Sequence, residues 1–66
     1  MDAYREAQRL YAEAMLSTAS GQDRIAELEQ TVQRIGELVP AAAPGDRAAV
    51  LLMNSSLVEL IAGESR

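Results

Sequence analysis

Ile25-Ala26-Glu27-Leu28-Glu29-Gln30-Thr31-Val32-Gln33-Arg34-Ile35-Gly36-Glu37-Leu38-Val39 carries its large aliphatic residues at a strict three-four spacing: Ile25, Leu28, Val32, Ile35 and Val39. On a helix those side chains fall on one narrow seam, a surface shaped to lie against another helix. β-Branched residues hold the a positions (Ile25, Val32, Val39), and Leu28 and Ile35 hold d. In that frame Arg24 stands at g and Glu29 at the following e, the pair that bridges two chains of a parallel coiled coil. The seam is only about two heptads long, so a dimer would need a further helix to enlarge the contact. The same residues could instead face other helices of their own chain.

Outward from the seam, punctuation residues mark three helices. Pro40-Ala41-Ala42-Ala43-Pro44-Gly45 is the clearest break, because two prolines and a glycine cannot continue a helix. Its length suits a turn between packed helices over 40–45. Asp46 is placed to cap a third helix over about 47–62, which Gly63 should stop. Upstream, Ser20 with Asp23 has capping-box spacing and predicts a second helix over about 22–38. Gly36 inside it either marks the helix end or a close approach of another backbone, or else weakens the helix by about 1 kcal/mol. The first helix is expected over about 3–19, capped by Asp2, with Tyr4, Ala7, Leu10, Tyr11, Ala14 and Met15 as its apolar stripe.

The third helix differs from the others. Val50, Met53, Leu57, Leu60 and Ile61 make one stripe, Leu51 and Val58 widen it, and Leu52 lies nearly opposite. A helix so widely apolar needs neighbours on more than one side, within a bundle or at an interface.

Composition narrows the function classes. The 66 residues make a single domain, 1–66, and a domain near that size buries only about 60% of its unfolded surface. With no Cys and no His, disulfides and zinc are excluded, and well-packed helices or association must supply stability. The loops lack the oxygen ligands of a calcium site. Catalysis would fall to hydroxyls such as Ser17, Ser55 and Ser65, or to carboxylates, without the usual base. A non-enzyme with no cofactor and no metal is expected. A net charge of −4 and six scattered arginines, Arg66 the last of them, speak against a nucleic-acid partner. No apolar run approaches a bilayer span, so no membrane partner and a cytoplasmic location are expected.

From Asp23 onward the order of features resembles the paired dimerisation helices of C-terminal docking domains in modular polyketide synthases. The matching residues are Asp23-Arg24-Ile25-Ala26-Glu27-Leu28-Glu29, a Pro/Ala/Gly turn, Gly45-Asp46-Arg47-Ala48-Ala49-Val50 and the closing Leu57 and Leu60. The resemblance implies a four-helix bundle made by two chains, which brings consecutive synthase subunits together. Two departures from the family stand out. It continues through a linker to a separate docking helix, whereas this sequence stops at Arg66, and here a further helix precedes the matching part. In size and helix content the chain is also similar to small helical chaperones of type III secretion systems.

The expected fold is therefore all-α, a three-helix up-down bundle associating into a dimeric helical bundle. The expected function is non-catalytic protein–protein recognition, with a homodimer and a second protein as partners. Ile25, Leu28, Val32, Ile35, Val39, Val50, Met53, Leu57 and Leu60 would form the apolar contact. Arg24 and Glu29, with Arg34 and Glu37, would set pairing at its rim. The alternative is a small free-standing acidic regulator, monomeric, with the seam used internally and its acidic face as the working surface.

Overall fold

In the computed structural model, which describes residues 2–64, the chain forms three α-helices and no strand among those residues. Ser65 and Arg66, named above, lie outside them. Helix α1 spans Ala3–Leu16, α2 spans Gly21–Leu38 and α3 spans Arg47–Glu64. Each helix packs on both others, and the α2–α3 contact is the most extensive. The all-α fold expected from the periodicity is the one observed.

The start of α1 follows from its cap. Asp2 Oδ1 accepts the Tyr4 N–H at 3.1 Å, meeting one of the donors a helix start leaves open, and the Asp2 carbonyl accepts the Glu6 N–H at 3.0 Å as the first bond of the helix. On the exposed side, Arg9 is held between Glu6 and Glu13. The hydrogen bond it donates to Glu6, then the charge of Glu13, raise its guanidinium pKa further.

The end of α1 departs from expectation: it stops at Leu16, short of Ala19. Ser17 turns to extended backbone, and its Oγ accepts the Ala19 N–H at 3.2 Å. Such a local side-chain bond offers the backbone an alternative to the helix. The same hydroxyl donates to the Glu27 carboxylate, tying the connection to α2.

Ser20 stands at the N-cap position of α2, but its side chain makes no capping bond, so the predicted capping box does not form. The turn is made instead by Gly21 at φ +61, a left-handed conformation that glycine adopts without a steric penalty.

After Leu38 the Pro40–Gly45 segment closes on itself. Ala42 N–H donates to the Leu38 carbonyl at 2.9 Å, and Asp46 N–H to the Ala43 carbonyl at 2.8 Å. Arg47 reaches back from α3 to the Ala42 and Pro40 carbonyls, at 3.2 and 3.3 Å. At the far end of the pair, Arg24 Nε meets Glu64 Oε1 at 3.3 Å. Glu64 thereby belongs to the last turn of α3, which runs through Gly63 instead of stopping there.

Leu28, Ile35, Val50 and Leu57 are the largest fully buried side chains and come only from α2 and α3. From α1 the core takes Ala3, Ala7, Leu10 and Ala14, three of them alanines, so this helix lies close on the other two. Met15, expected on that stripe, is exposed.

Gly36 lies inside α2, which continues two residues past it. A Cβ built there would meet only Asn54 Nδ2, at 3.7 Å, an ordinary contact. Gly36→Ala should therefore stabilise the fold by up to about 1 kcal/mol, seen as a higher urea midpoint in circular dichroism. A lower midpoint would mean that the α2–α3 packing requires a bare backbone at this position.

Candidate interaction surface

The residues expected to meet a second chain are used mostly within this one. Leu28, Ile35, Val50 and Leu57 are at most 1% exposed, closed off by their own helices. Val32, Val39, Met53 and Leu60 pack half-buried against them, and Ile25 is half-buried as well. The seam expected between chains is thus the wall of the internal core, because α1 and α3 cover it. The charged rim is also redirected. Arg24 pairs with Glu64 of its own chain, while Glu29, Arg34 and Glu37 stay exposed with no ion pair among the described residues. Leu28→Asp would place a carboxylate in the core.

The surface left open belongs to α3. Leu51 and Val58 remain 50% exposed and Leu52 69%, and Ala48, Ser55 and Ala62 are exposed beside them. Ala48, Leu51, Ser55, Val58 and Ala62 follow the same three-four spacing as the α2 seam, on a different side of α3 from Val50 and Leu57. The only charge among the exposed residues from Ala48 to Ala62 is Glu59. A second seam of this kind was legible in the spacing. It is masked because Leu51 and Val58 read as a widening of the inner stripe and the alternate positions are small.

Beside this seam lies an open groove of about 330 Å³ lined by Leu51, Asn54, Ser55, Val58 and Glu59. Asn54 sits at its α2 edge, against Gly36. Its Oδ1 is buried with no hydrogen-bond partner among the described residues. An unpaired buried oxygen destabilises by about 1–3 kcal/mol. Glu29 and Gln33 lie seven and three residues before Gly36, on the same face of α2, and are exposed.

A second groove of about 290 Å³ runs between α1 and α2, lined by polar residues including Glu13, Ser17, Glu27, Gln30, Thr31 and Arg34. Its Ser17 hydroxyl is engaged by Glu27, an exposed carboxylate. No group of three or more metal-binding side chains gathers among the described residues. None of the described helices is long and apolar enough to cross a membrane. Comparison with known proteins finds no family model, curated protein or solved structure that matches this chain.

The division between inner and outer faces can be measured. Leu28→Ala should lower stability by about 2–5 kcal/mol, since it opens a cavity in the core. Leu52→Ala should change it by less than about 0.5 kcal/mol in urea unfolding at low protein concentration. Equal losses in the two variants would contradict the assignment of faces.

Proposed function

We propose that this chain is a non-catalytic protein–protein interaction module that docks through the outer face of α3. The observation that supports the reading is a helix apolar on nearly every side while its own chain covers only one. Helices with that character are buried within larger assemblies. Contiguous exposed apolar residues rimmed by polar ones mark sites where proteins meet. The rim here is polar: Asn54, Ser55 and Glu59 on α3, Glu29 and Gln33 on α2.

The first partner is a second copy of this chain, which presents the same helix face, and a second polypeptide would join that pair. Assembly of synthase subunits, as in the docking domains that the Asp23–Leu60 region resembles, is the most concrete form of this reading. In that form the contact lies on the outer side of the α2–α3 pair, and Ile25–Val39 supports it from within.

The internal placement of the α2 seam also fits a second reading, a monomeric acidic regulator. There the exposed carboxylates Glu27, Glu29 and Glu37 would face a basic site on another protein. Such binding weakens steeply with salt, whereas apolar docking does not.

Sedimentation equilibrium across the micromolar range tests the docking reading. The wild-type chain should show reversible association that persists in high salt. Leu51→Glu with Val58→Glu should remain fully helical and weaken association at least roughly tenfold, because a charge buried at the contact loses its hydration. A folded monomer at every concentration would overturn the reading.

A further inference from the structure

The outer seam of α3 alternates in size: Ala48, Leu51, Ser55, Val58, Ala62, small at every a position and large at every d. In a parallel pair of these helices, like faces like. The Leu51 and Val58 layers would hold the helices at an ordinary spacing, and the Ala48 and Ser55 layers between them would be left underfilled. Turning the second copy end for end removes the conflict. Ala48 then faces Val58 of the second copy and Leu51 faces its Ser55, so these layers each hold one small and one large residue, with Ala62 lying beyond them. Resting on the docking reading above, we infer that the partner is a second copy of this chain, its α3 antiparallel to the first about a twofold axis level with Met53.

Two features beside the seam agree with that axis. A residue close to a twofold axis meets its own copy. Asn54 lies one residue from the axis level, on the α2 side, so the two Asn54 amides face each other with an offset of about 3 Å along the helices. Each amide has a donor and an acceptor, so the pair can bond reciprocally. A turn of the whole side chain about χ1 would bring Oδ1, buried and unpaired in the single chain, to the contact. On the other flank Leu52, the most exposed large aliphatic side chain of α3, meets Leu52 of the second copy with the same offset of about 3 Å. The two Glu59 side chains, by contrast, stand about 18 Å apart along the axis and do not repel at contact.

The area sets the strength of the pairing. A stable interface covers roughly 800 Å² of each partner with 20–30 residues a side. That is about a fifth of the 4355 Å² surface of this chain. The seam with its two flanks supplies only seven side chains. The dimer is therefore weak and concentration-dependent, in the class of transient encounters.

Gly63→Cys provides a single attachment point, because the chain has no cysteine and a Cβ at Gly63 meets nothing within 4 Å. With a nitroxide there, pulsed electron paramagnetic resonance on the associated protein should give a label separation of about 30 Å or slightly more, from twenty residues of helix rise. A separation below about 20 Å would place the helices parallel and overturn the inference while leaving the docking reading intact. A monomer in the same sample by sedimentation would overturn both. Asn54→Asp adds a second readout. It sets two carboxylates together at the axis and should weaken association; unchanged association in a folded variant would remove Asn54 from the axis.

Discussion

Everything else in this structure depends on the contact of Leu28 and Ile35 with Val50 and Leu57. The chain has neither disulfide nor histidine to cross-link it, so its stability rests on apolar burial. Each fully buried aliphatic side chain contributes about 1.5–3 kcal/mol through removal from water. Because these four come from α2 and α3, that pair is the frame, and α1 closes it with a face of alanines. The small side chains of Ala3, Ala7 and Ala14 let α1 approach closely but add little apolar volume.

The polar contacts keep this frame in register. Arg47 ties α3 to the carbonyls of the Pro40–Gly45 turn at one end, and Arg24 holds Glu64 at the other. Neither contact is deeply buried, and exposed ion pairs contribute little energy. Their effect is to fix which turn of α2 lies against which turn of α3. That register places Gly36 against Asn54 and leaves Leu51, Leu52 and Val58 on the outside. The inner packing of α3 therefore decides its outer surface.

Periodicity and punctuation made the fold readable. The three-four spacing from Ile25 to Val39 and the Pro40–Gly45 break locate α2, the turn and the start of α3 to within a residue or so. The end of α1 was not readable, because it depends on a Ser17 hydroxyl that bonds both the Ala19 amide and Glu27 of another helix. The last turn of α3 past Gly63 likewise carries a contact with a partner forty residues away. Which surface stays open was hard to read for a related reason. A seam states that a helix has a neighbour but not which chain supplies it, and here α1 and α3 supply it to α2. The weaker-looking pattern, Ala48 to Ala62, is the one left without a neighbour.

The Ile25–Val39 seam is internal, and the outer face of α3 is the proposed contact surface. Dilution from millimolar to low micromolar concentration, followed residue by residue in the amide NMR spectrum, tests it most directly. The shifts that change with concentration should cluster at Ala48, Leu51, Leu52, Asn54, Ser55 and Val58, with the α1–α2 groove unaffected. Changes centred on the exposed edges of Ile25, Val32 and Val39 would contradict the account and return the interface to α2.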